Sequence, residues 1–88
     1  MEEDPETIKM KGSFLLICKS WGYRGATREI FYKSIKGLNY NHMKDILESL
    51  EESGFITMEW VDYDRFFAYI TPEGETYLDK WLADLQLP

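Results

Sequence analysis

Apolar positions along the chain change their period near Gly54: helical spacing gives way to two short β-branched and aromatic runs, and the final stretch returns to helical spacing. The first segment carries Ile8, Phe14, Leu15, Ile17, Cys18 and Trp21 on a broad apolar side. Asp4 and Pro5 precede it, an N-cap followed by proline at the first helical position. Gly12 weakens the middle of such a helix by about 1 kcal/mol relative to alanine, so ordered helix is expected only from near Lys11. "GYRG", residues 22–25, ends the segment. Thr27 is placed to cap a second helix, with Ile30, Phe31, Ser34 and Ile35 inward and Arg28, Tyr32, Lys33 and Lys36 outward. "KGLN" forms a turn in which Gly37 takes positive φ. Asn39 then caps a third helix whose inward residues Met43, Ile46, Leu47 and Leu50 keep the i, i+3, i+4, i+7 spacing.

Gly54 closes the third helix. "FITMEW" and "RFFAYI" read as strands joined by "VDYD", a hairpin over residues 55–70. A two-stranded ribbon is marginal alone, so a short strand at Gly25–Thr27 is expected to join it. Thr71 and Pro72 open a last helix, residues 72–87, with Tyr77, Leu78, Trp81, Leu82 and Leu85 as its stripe. The expected fold class is α+β and mainly helical. One domain covers residues 1–88, with 1–6 an acidic tail and 27–53 a helix–turn–helix.

Composition narrows the class further. A 44% hydrophobic content suffices for a core without disulfides, and the lone Cys18, inside "FLLIC", reads as a buried thiol. The longest apolar runs have five residues, far below the roughly 20 of a membrane span. "MEEDPE" lacks the basic-then-apolar layout of a secretory signal. A soluble, cytoplasmic protein without membrane contact is expected. His42 is the only histidine, so neither a zinc cluster nor a Cys–His nucleophile pair is expected. No glycine-rich phosphate loop follows a strand. The expectation is therefore no cofactor and no enzymatic activity.

The formal charge of −6 conceals an asymmetry. Residues 7–44 hold eight bases against Glu29 alone, whereas residues 45–88 hold eleven acids against Arg65 and Lys80. A partner meets a local field that decays over about 10 Å at moderate salt, so a basic face on an acidic protein is possible.

"GATREIFYKSIKGLNYNHMKDILESLEESGFI" followed by "YITPEGETYLDKWL" resembles the small archaeal winged helix-turn-helix DNA-binding proteins, which include chromatin-associated dimers and transcription regulators. The resemblance rests on Thr27–Arg28, Leu38–Asn39–Tyr40, Leu47, Leu50, Gly54–Phe55–Ile56, and Thr71, Glu73 and Gly74, over roughly residues 14–82. It implies a three-helix core, a hairpin "wing" and a C-terminal helix, an archaeal or archaeal-virus origin, and sequence-specific binding of double-stranded DNA by a homodimer. Two departures stand out. The final helix has room for about fifteen residues, or ~22 Å, so a short dimer contact through the first and last helices is expected in place of a long coiled coil. Tyr77, Leu78, Trp81 and Leu85 are its candidates. The wing tip, "VDYDR", sets Asp62 and Asp64 beside a single Arg65, a poor grip on a phosphate backbone.

The helix over residues 40–53 is the expected major-groove reader, its N-terminal part nearest the bases. Asn41 can pair with adenine, because an amide offers a donor and an acceptor in one plane. His42 and Lys44 can reach bases or phosphates, while Glu48, Glu51 and Glu52 belong to a solvent face. Arg28, Lys33, Lys36 and Arg65 are the backbone candidates, since phosphate contacts fix register without reading sequence. Tyr40, like Tyr32, is either a phosphate donor or half-buried packing. A rival reading follows from Trp60, Tyr63, Phe66, Phe67 and Tyr69. These crowd the hairpin, and adjacent Phe66 and Phe67 must point to opposite faces, which leaves an aromatic for a protein partner. On that reading the chain is a protein–protein module that does not bind DNA.

Overall fold

The computed structural model describes residues 4–85. The chain runs through α1 (Pro5–Trp21), a 3-10 turn (Gly22–Arg24), α2 (Arg28–Ser34), α3 (Tyr40–Glu52), β1 (Ile56–Trp60), β2 (Phe66–Ile70) and α4 (Pro72–Leu85). It is α+β and mainly helical, in the order expected. The Asp4 carboxylate accepts the Thr7 N–H at 2.8 Å, and Pro5 follows it. Helix α1 is continuous from Pro5, in contrast to the expected start near Lys11. The reason is Gly12: a Cβ there would lie inside the indole of Trp81. Docking of that ring from α4 offsets the glycine's propensity cost.

Phe14 of α1 stacks on Phe31 of α2 with centroids 4.6 Å apart, and Phe31 meets Phe66 of β2 at 6.4 Å. Met43, Ile46, Leu47 and Leu50 of α3 are buried with them, together with Leu15, Cys18, Ile56, Ala68 and Leu78. All four predicted inward residues of α3 therefore reach the core. In α2 Phe31 is buried and Ile35, as the helix C-cap, still packs half-buried on the core, but Ser34, expected inward, is exposed.

Helix α3 ends in a Schellman arrangement. Phe55 donates its N–H to the Leu50 carbonyl at 2.9 Å and Gly54 to that of Glu51 at 3.0 Å, with Gly54 at φ +81°. Strands β1 and β2 pair antiparallel, Ile56 opposite Ile70 and Trp60 opposite Phe66. The expected third strand is a single bridge, in which Ala26 and Ala68 exchange two backbone hydrogen bonds of 2.9 Å. At the base of the hairpin, the Thr71 hydroxyl donates to the Gly54 carbonyl at 2.6 Å and accepts the Gly74 N–H at 3.0 Å. One side chain thus ties the end of α3 to the start of α4. Among the described residues, no helix is long and apolar enough to cross a membrane.

Candidate nucleic-acid interface

The four buried residues of α3 fix its rotation, so its polar face is determined by the core. The Asn39 carboxamide accepts the His42 N–H at 2.8 Å and sets the helix start. Tyr40, Asn41, His42 and Lys44 are all exposed, and no acid stands in the first turn. Asn41, Lys44 and Glu48 follow one ridge at i, i+3 and i+7 spacing. Lys44 Nζ lies 3.9 Å from a Glu48 carboxylate oxygen, and both side chains are more than half exposed. Such a pair contributes only a few tenths of a kcal/mol, roughly 0.2–0.5, so Lys44 can exchange its partner readily.

Lys33 in the last turn of α2 and Lys36 just beyond it are exposed, and neither has an ion pair among the described residues. Lys9 of α1 lines a shallow cleft with Ile35, so the first turns of α1 lie beside the end of α2. The Thr7 N–H holds the Asp4 carboxyl below its ordinary value, and the nearby His42 adds a smaller lowering. The starts of α1 and α3 are therefore neighbours. Lys9, at that cleft, and His42, at the start of α3, thus share a side of the molecule with Asp4 and Glu6, while Lys44 further along α3 is paired to Glu48.

The two candidate arginines are placed differently. Arg28 Nη1 lies 3.4 Å from Asp64 Oδ2, and its Nη2 is 4.0 Å from Glu29. Arg65 Nε donates to Asp62 Oδ2 at 2.8 Å. The other oxygen of Asp62 accepts the backbone N–H groups of Asp64 and Arg65, at 3.2 and 3.0 Å. Arg65, with these N–H groups, holds the Asp62 carboxyl down at about 2. The hydrogen bond and charge of Asp62 raise the Arg65 guanidinium in turn, with smaller contributions from Asp64 and Glu29. The hairpin tip and the start of α2 thus form one cluster of two bases and three acids. "VDYDR" announced its local acids, but the Arg28–Asp64 contact spans 36 positions and no local pattern signals it.

The expected dimer residues divide. Leu78 is corrected: it has no exposed surface and belongs to this chain's own core, because the α4 stripe that looked free is the face that docks on α1. Tyr77 stacks on Phe55 at 4.7 Å and Trp81 covers Gly12, both half-buried. Leu85 is 63% exposed. On the hairpin, Phe66 is buried and Phe67 half-buried, which satisfies the opposite-faces argument within the chain. The exposed apolar surface lies at the tip instead, where Trp60, Val61 and Tyr63 are 50%, 54% and 91% exposed. Trp21, expected inward, is 40% exposed beside an almost bare Tyr23, because the helix ends there at Gly22 (φ +53°) and the core lies behind it. No protein-family model, curated protein or solved structure matches the chain.

Proposed function

We propose that this chain is a winged-helix protein that binds double-stranded DNA sequence-specifically, with α3 in the major groove, and acts as a transcription regulator. The observation that carries the reading is the acid-free, exposed first turn of α3, with Lys33 and Lys36 exposed on the segment before it and without ion pairs among the described residues. A helix entering the major groove presents its N-terminal residues to base edges. Asn41 then reads adenine through its donor and acceptor pair, His42 and Lys44 reach neighbouring bases or phosphates, and Tyr40 donates to the backbone. Lys33 and Lys36 set the register on phosphate. Glu48, Glu51 and Glu52 repel the backbone and limit how deeply the helix inserts. A homodimer through the α1 and α4 surfaces, with Leu85 at its centre, would place two such helices on a two-fold site.

Fluorescence-anisotropy titration of duplex DNA across a salt series tests this. About four phosphate contacts give a slope of log K against log salt of roughly −3 to −4. Reversal of Lys33, Lys36 and Lys44 to glutamate should abolish binding; survival of binding in that triple variant would refute the basic-face reading.

A second reading is favoured by one observation, the exposed Trp60, Val61 and Tyr63 at the hairpin tip. On it the tip contacts a protein partner, and DNA binding is absent even at low salt.

A further inference from the structure

Arg28 and Arg65 are the bases nearest the hairpin, yet each already holds a carboxylate, Asp64 and Asp62 respectively. Arg65 lines a cleft with Thr27, Glu29, Val61, Phe66 and Phe67, so the tip and the start of α2 face each other across it. We propose that the hairpin tip is an autoinhibitory clamp, in which Asp64 and Asp62 occupy the guanidinium groups that DNA phosphates would otherwise take. This rests on the DNA-binding reading above. An aspartate carboxylate and a phosphodiester both present anionic oxygens to a guanidinium fork, so the two compete for one position. The Arg28 side chain is 30% exposed and Asp64 40%, Arg65 is 65% and Asp62 38%. Pairs this wet are weak and exchange with competing anions. The consequence is selectivity: the clamp subtracts two backbone contacts from any duplex, leaving a larger share of the affinity to the base-reading turn of α3.

The test is duplex binding, by anisotropy across a salt series, of wild type, Asp64→Asn and the double variant Asp62→Asn/Asp64→Asn. Asparagine at 62 retains an oxygen for the two backbone N–H groups that shape the turn. Asp64→Asn should bind random-sequence duplex about threefold to tenfold more tightly at low salt, with a slope steeper by about 0.9 for one added phosphate contact. Arg28→Gln in the Asp64→Asn background should return the slope to wild type. Glu73→Gln, on the exposed first turn of α4, matches the charge change elsewhere and should do nothing. An Asp64→Asn variant that binds no better than wild type, or a Glu73→Gln variant that gains as much, overturns the clamp and leaves the DNA-binding reading standing. A further gain and a second steepening of the slope in the double variant, beyond Asp64→Asn, support the clamp at Arg65 as well; failure of every protein to bind overturns both.

Discussion

Replacing Gly12 by alanine should destabilise this protein, although the same change in an open helix stabilises it. In an unobstructed α1, alanine would gain about 1 kcal/mol from propensity and lost chain entropy. Here the added methyl would overlap the indole of Trp81, and the ring would have to leave its seat between α1 and α4. Overpacking of this kind costs about 1–3 kcal/mol, so the net loss is about 1 kcal/mol. For a domain of this size that lowers Tm by roughly 4–8 °C. Trp81→Ala alone should cost about 2 kcal/mol, below the range of fully buried tryptophans because the ring is half-buried. In the Trp81→Ala background the obstacle is gone, and Gly12→Ala should become stabilising by about 1 kcal/mol. The pair is therefore coupled by about 2 kcal/mol, well above the ~0.5 kcal/mol scatter of independent sites. Urea denaturation of the four proteins, followed by far-UV circular dichroism, measures this cycle. A Gly12→Ala protein more stable than wild type, or additive single changes, would show that Trp81 does not rest on Gly12.

Two further changes probe the ends of the helices and the core. Thr71→Val removes both the donor to the Gly54 carbonyl and the acceptor for the Gly74 N–H; it should cost about 1–2 kcal/mol, whereas Thr71→Ser stays within about 0.5 kcal/mol of wild type. Equal melting of the two variants would remove Thr71 from the account. Burial pushes the Cys18 thiol up to about 12 from 9.0. The unfolded thiol ionises first as pH rises, so the stability share of Cys18 is complete below pH 9 and falls between pH 9 and 12. Cys18→Ala should flatten that alkaline decline by up to about 1.4 kcal/mol per pH unit, and parallel curves for the two proteins would refute it.

Capping was legible in three of four places because it is local: Asp4, Asn39 and Thr71 each bond to an N–H three residues on, whereas Thr27 stands at the N-cap of α2 without a side-chain cap bond. The α3 stripe was legible because its apolar residues, Met43 to Leu50, repeat over about two turns with charges between them. Helix α1 was harder to read, since Gly12 argued against it by propensity and its compensation comes from Trp81 in another helix. The same docking explains Leu78. An apolar stripe at the end of a sequence reads equally well as a core face or a subunit contact, and only the packing of α4 on α1 decides between them. Within the candidate interface, exposure of Asn41 and Lys44 followed directly from periodicity. The state of Arg28 did not, because its partner arrives from the far end of the hairpin.

That difference bears on how charge should be counted in this protein. Ten bases facing sixteen acids describe a total, but the bases are not equivalent. Lys11 is buried and engaged, Lys19 lies 3.8 Å from Asp79, and Arg28 and Arg65 hold aspartates. Arg24 and Lys80 sit in the 3-10 turn and α4, so Lys9, Lys33 and Lys36, with the loosely held Lys44, are the bases on α1, α2, α3 and the turn between α2 and α3 left to set the field around the first turn of α3. At physiological salt that field reaches about 8 Å, so a polyanion approaching the first turn of α3 meets these lysines together with the acids close to them, Asp4, Glu6, Asp45 and Glu48, and responds little to the acids of α4. Reversing Lys36 changes this local set by two charges. The same reversal at Lys80 acts on α4, where Glu73, Glu75, Asp79 and Asp84 already make the surface acidic. A basic patch on an acidic protein therefore depends on where each acid sits, and on α3 the first turn is free of acids while Asp45, Glu48, Glu51 and Glu52 follow it. At the hairpin tip acids are held directly on bases, and Asp64 on Arg28 is the contact that joins the tip to the start of α2.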